Sequence, residues 1–180
     1  MTDRGQEGPP RRLLITAIAV AIAAIAAVLA IAAIRQPPQR QQVPIAAVPA
    51  PRADSSECRV LLAALPEDLG DYQRVPAAEP APQGAAAWQA APDAEPVILR
   101  CGLDRPAEFV VGAPVQVVDA VQWFEVADSA GGRSTWFAVD RPVYVALTLP
   151  QGSGPTPIQQ ISEVIATILP ATEIDPAPAR

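Results

Sequence analysis

From Leu13 to Ile34 the chain reads LLITAIAVAIAAIAAVLAIAAI, 22 residues without a charge. As a helix rising about 1.5 Å per residue it would reach roughly 33 Å, against a hydrocarbon core about 30 Å thick. A helix in a soluble core keeps a polar face, and this stretch has none. A single transmembrane helix acting as a signal anchor is expected over 13–34. The run exceeds the ~7–15 apolar residues of a signal-peptide core, although Ala30-Ile31-Ala32 could serve as a cleavage motif, which keeps a cleaved signal peptide as the alternative. Arg4, Arg11 and Arg12 precede the segment, and Arg35, Arg40 and Arg52 follow it, so the positive-inside rule is nearly tied. Arg11 and Arg12 abut the segment directly, which tilts the reading to a cytoplasmic N-terminus over 1–12 and a domain outside.

Beyond the segment the pattern changes. Residues 35–54, RQPPQRQQVPIAAVPAPRAD, have no periodicity and read as an extended Pro/Gln-rich linker. A folded domain is expected over 55–170. It opens with SSECRVLLAAL, a short helix with a Ser N-cap that stops at Pro66. Residues 75–96 are rich in Pro and Ala and read as a mobile loop, with Trp88 docking it. Strands are expected at Val97–Cys101, Val115–Val118, Val121–Val126, 134–139 (STWFAV) and 143–149 (VYVALTL). The last places Val143, Val145, Leu147 and Leu149 on one face. DSAGGR (128–133) joins two strands as a hairpin loop; its glycine pair lacks the Lys and following helix of a phosphate cradle. TPIQQISEVIATIL reads as a helix with Thr156 as N-cap, Pro157 at N1, Gln159 at N3 and a stripe of Ile158, Ile161, Ile165 and Ile168, ended by Pro170. Residues 171–180 read as a disordered tail. The fold class is α+β: a small antiparallel sheet packed by an N-terminal and a C-terminal helix, behind a single transmembrane helix.

Composition narrows the chemistry. The chain has no Lys, Asn or His, so all 13 basic residues are Arg, and the formal charge is −6. A negative chain without a basic face is not a nucleic-acid binder. Without His there is no Ser-His-Asp or Cys-His pair and no His-ligated metal, and two cysteines alone do not make a zinc site. No cofactor, metal or catalytic residue is assigned, and the protein is not read as an enzyme.

The two cysteines, Cys58 and Cys101, lie in the first helix and at the end of the first expected strand, 43 positions apart. A helix packed on that strand brings them together, and a bridge would clip the Pro/Ala loop between them. Closing such a loop contributes roughly 4 kcal/mol in the chain-entropy account. Pairing requires an oxidising compartment and agrees with an exported domain; unpaired cysteines in a reducing cytosol are the alternative.

Several side chains are candidate contacts. Arg100 interrupts an apolar strand, so it either reaches the surface, pairs with an acid such as Asp119 or Asp140, or holds an anion. Arg105 and Arg141 are the other candidate cations. Trp123-Phe124 and Trp136-Phe137 lie on neighbouring strands, where alternation sends the members of each pair to opposite faces. Trp123 and Trp136 are the candidate aromatic contacts, with core packing the plainer reading.

The stretches VILRCG, VDAVQWFEV and TWFAVDRPVYVALTLP, with Cys58 upstream, carry a resemblance. Through Arg100-Cys101-Gly102, Trp123-Phe124 and Asp140-Arg141-Pro142, residues 55–150 resemble the actinobacterial family termed domain of unknown function 3515. The resemblance implies a secreted or membrane-anchored envelope protein with one span and one small domain, and no established activity. The expected role is therefore an uncharacterised membrane-anchored envelope protein whose domain binds an envelope protein or cell-wall component. The alternative is a small-ligand or anion-binding sensor using Arg100 or Arg105. A pocket lined by Arg and one aromatic face favours the sensor, a flat exposed aromatic patch the scaffold, and a buried carboxylate pair facing a cleft an enzyme.

Overall fold

The computed structural model describes residues 11–35, 42–128 and 132–179, which fall into two compact units, Met1–Gln39 and Arg40–Arg180. The first unit holds helix α1 (Arg11–Arg35). Its described side chains, 15–29, are exposed all round, among them Ile15, Val20, Ile22, Ile25 and Val28. Among the described residues no helix is long and apolar enough to cross a membrane. The described structure therefore does not support the expected span. Residues 1–10 of the expected cytoplasmic segment lie outside the described residues.

The second unit is α+β. Helix α2 (Ser56–Ala64) is followed by strands β1 (Asp68–Leu69), β2 (Tyr72–Val75), β3 (Ala85–Gln89), β4 (Val97–Leu103), β5 (Gln116–Val118), β6 (Val121–Asp128), β7 (Arg133–Ala138) and β8 (Tyr144–Leu149), then helix α3 (Thr156–Ile168). The strands form one sheet in the order β1-β2-β3-β4-β8-β7-β6-β5, antiparallel at every pairing. Two meanders, β1–β4 and β5–β8, are thus joined where β4 meets β8 at the centre. Ser129–Gly131 of the expected hairpin loop lie outside the described residues, but β6 and β7 pair up to Asp128↔Arg133.

Alternation divides the sheet into two faces. On the first lie Trp88, Val97, Leu99, Cys101, Val121, Trp123, Val145, Leu147 and Leu149, sealed by Leu61 of α2 and Ile158, Ile161 and Ile165 of α3. Val143, Val145, Leu147 and Leu149 share this face as expected and are all buried. At the start of α2, the Ser55 side chain accepts from the Cys58 backbone N–H at 3.2 Å. Inside α3, Ser162 Oγ accepts from Trp123 Nε1 at 2.9 Å and donates to the Ile158 carbonyl at 2.7 Å. The expected capping box of α3 is shifted: Thr156 is already helical, Pro155 holds the N-cap position, and no side chain caps the helix.

The second face carries Ala87, Ile98, Arg100, Phe124, Thr135, Phe137, Tyr144, Ala146 and Thr148. Two chain segments cover its halves. Val43 and Ile45 pack on Ala87 and Ile98, and Val43 bridges to Ala77. Phe109, in the connection from β4 to β5, packs with Phe124 and Val139, its ring 5.2 Å from that of Phe124. This connection crosses the face because the chain leaves β4 at the sheet's centre and must reach β5 at its edge.

Three expected boundaries are corrected. The expected linker 35–54 is a strap from residue 42 onwards: Val43 exchanges backbone hydrogen bonds with Pro76 and Ala78, Arg52 N–H donates to the Gly102 carbonyl, and Ala53 is buried. Residues 36–41 of it lie outside the described residues. The domain thus starts before Ser55. The expected mobile loop 75–96 contains β3, in which Trp88 is fully buried, donates to the Pro66 carbonyl at 2.9 Å and lies under the Arg74 guanidinium. The expected disordered tail 171–180 docks, as described to residue 179: Ala177 bridges to Val110 and exchanges backbone hydrogen bonds with Phe109 and Val111.

Candidate functional site

The second face is not fully covered. Between the strap and the β4–β5 connection lies an open groove of about 420 Å³. Its floor is set by register. Arg100 on β4 stands opposite Ala146 on β8, which stands opposite Phe137 on β7; one step along, Thr148 stands opposite Thr135. Ala146 is small where its neighbours are large, so the sheet dips between the guanidinium and the phenyl ring. Val48 and Pro49 wall one side, and Leu103, Asp104 and Pro106 the other.

Arg100 is poorly satisfied in this setting. Its Nη2 donates to the Ala46 carbonyl across a long 3.4 Å, and its buried Nε has no hydrogen-bond partner. Burial pushes the guanidinium below its ordinary pKa, the shift expected when a cation loses water without gaining an anion. Neither acid expected to pair with it does so: among the described residues Arg100 has no ion pair, and Asp140 is held by Arg141. The Thr135 and Thr148 hydroxyls lie 3.0 Å apart. One donates to the other, which leaves the second proton free to face the groove. The arrangement can take a planar anion on the guanidinium fork and an apolar body against Phe137.

The other candidates fall elsewhere. Cys58 and Cys101 are disulfide-bonded, their Cα atoms 5.6 Å apart, and both are fully buried. Arg105 is outside the groove; its Nη1 pairs with Asp175 Oδ2 at 2.8 Å and donates to the Asp175 carbonyl, clasping the tail. Arg141 is buried. It pairs with Asp140 at 2.9 Å and donates to the Ala120 carbonyl, which ties the turn at Asp119-Ala120, where Asp119 has φ 52°, to the start of β8. Trp123 is sealed in the core. Arg141 and Trp123 are buried and are therefore corrected from surface contacts to structural residues, while Arg105 stays partly exposed and engaged with the tail. Trp136 is half-buried and lines a separate trough. Sequence reasoning missed Ala146, Thr135, Thr148 and the strap. The strand VYVALTL held the signal, since its unused face, Tyr144-Ala146-Thr148, has a gap at its middle position.

A family model described as "Protein of unknown function (DUF3515)" matches residues 18–174. The chain belongs to this family. No curated protein and no solved structure matches it. The family match extends the resemblance seen in 55–150 across most of α1, the strap, α3 and residues 171–174. The DUF3515 chain thus includes both segments that wall the groove.

Proposed function

We propose that this DUF3515 protein is a membrane-anchored envelope protein whose extracytoplasmic domain binds a small anionic ligand in the Arg100 groove. The observation that carries the reading is Arg100 itself: a half-buried guanidinium with an unpartnered Nε, beside an aromatic wall, in an open groove. An unpaired charge away from water is costly, and a bound carboxylate or phosphate relieves that cost with charge-assisted hydrogen bonds. The scaffold reading called for a flat aromatic patch; of its two candidates Trp123 is in the core and Trp136 is half-buried in a trough. The anchor rests on the 22 uncharged residues of 13–34, most of helix α1. The outside placement rests on the disulfide, which needs an oxidising compartment.

The test uses the full chain in phosphatidylcholine nanodiscs, with the Arg Nε–H resonances followed during titration with benzoate, octanoate and inorganic phosphate. The Arg100 resonance, assigned by its loss in Arg100→Gln, is expected to shift saturably with at least one of them. Arg100→Gln, which carries no Arg100 resonance and is followed by titration calorimetry beside the unaltered chain, should weaken that binding at least about tenfold, the loss of one charged hydrogen-bond pair. No shift with any of the three would remove the reading.

A further inference from the structure

We propose that a second site, the trough at Trp136 on the first face, binds an uncharged saccharide. This inference is independent of the Arg100 groove. Helix α3 packs on β1, β5 and β6 and leaves the corner of the sheet beyond its first turn uncovered. There β5, β6 and β7 point side chains into a trough of about 650 Å³, within the range of small-ligand sites. The loop from Pro150 to Pro155 forms the far wall.

The floor centres on Trp136. Its Nε1 donates to Ser134 Oγ at 2.9 Å, so the ring is held in one orientation with its polar edge already satisfied. What remains for a ligand is the apolar face of the indole. Around it stand the amides of Gln116, Gln151 and Gln159, none with a hydrogen-bond partner among the described residues. Glu125, directly opposite Trp136 in the ladder, and Arg133 contribute one charge of each sign.

This combination selects by chemistry. A purely apolar chain would strip water from three amides and two charges without replacing their hydrogen bonds. An anion would gain from Arg133 and lose to Glu125. A sugar ring offers both surfaces the trough needs: a C–H face to lie on the indole, and hydroxyls that donate and accept at once, matched to side-chain amides that do the same. Gly152 and Gly154, both at positive φ, give the wall a backbone course open to further N–H and C=O contacts.

The full chain is labelled with 5-fluorotryptophan in phosphatidylcholine nanodiscs, which gives one fluorine signal each for Trp88, Trp123 and Trp136. Tri-N-acetylchitotriose and maltotriose are titrated separately. The Trp136 signal, assigned in Trp136→Phe, is expected to shift saturably with at least one sugar, while Trp88 and Trp123 stay fixed as buried internal controls. Gln151→Ala, in the loop and outside the core, should weaken that binding about three- to tenfold, the range for one hydrogen bond. No sugar-dependent shift at Trp136, or a shift with benzoate or inorganic phosphate and none with either sugar, overturns the assignment.

Discussion

Ser162 shows how single polar atoms hold this fold. It lies in α3 at full burial, receives the Trp123 indole N–H and passes its own proton to Ile158. Ser162→Ala leaves the indole donor buried without a partner and should cost about 2 kcal/mol, seen as a lower denaturation midpoint. Trp123→Phe in the same chain removes the orphaned donor, so the double variant should lose less than the sum of the singles; additive losses would mean that the bond contributes nothing. Arg141 and Asp140 form the other polar fixture, a pair needed to fasten a turn. Little of this was legible beforehand. A serine within an Ile-rich stripe and an Arg beside an Asp give no sign of burial until the partner strands are in place. The opposite holds for Arg100, whose charge inside VILRCG marked it as unusual from the start.

At the scale of elements, legibility followed side-chain chemistry. Strands β4 to β8 are rich in β-branched, aliphatic and aromatic residues and could be placed within two residues. Strands β1, β2 and β3 could not. The sequence AAAWQ has weak strand preference, and it is extended only because β2 and β4 pair on either side of it. The strap and the tail were missed for a related reason. Both are Pro-rich and lack periodicity, yet each docks through a few backbone hydrogen bonds and one or two apolar side chains. Removing residues 173–180 should therefore act as the loss of a structural element. Two backbone bonds at Ala177, to Phe109 and Val111, disappear with the Arg105–Asp175 clasp. A loss of about 2 kcal/mol is expected, almost all from the backbone bonds, since the exposed ion pair contributes under about 1 kcal/mol. Faster amide exchange at Val111, with Leu99 unchanged, would locate the effect; an unchanged exchange rate at Val111 would show the tail to be idle.

For the molecule as a whole, the disulfide joins the helix after the strap to the central strand of the sheet. Its 43-residue separation encloses β1, β2 and β3, the strands with the weakest local preference. The double variant Cys58→Ser, Cys101→Ser should lose up to about 4 kcal/mol, read from denaturant midpoints. In protein denatured directly from intact cells without reductant, thiol alkylation should be absent; full alkylation would place the domain in a reducing compartment and remove the argument for export. The pairing of the cysteines was legible because only one pairing exists. The sheet order was not, because the partner of β4 lies about 45 positions later and no local pattern announces it.

That order has a consequence for the moment of synthesis. Strand β8 is the last to leave the ribosome, and it fills the middle of the sheet. Until it arrives, β4 presents a row of unpaired amides and carbonyls beside Val97, Ile98 and Leu99, the kind of bare edge at which chains stick to one another. The newborn domain therefore passes through its most vulnerable state just before its last strand emerges, and a chain cut ahead of Tyr144 is left with an open seam where the folded sheet has its centre.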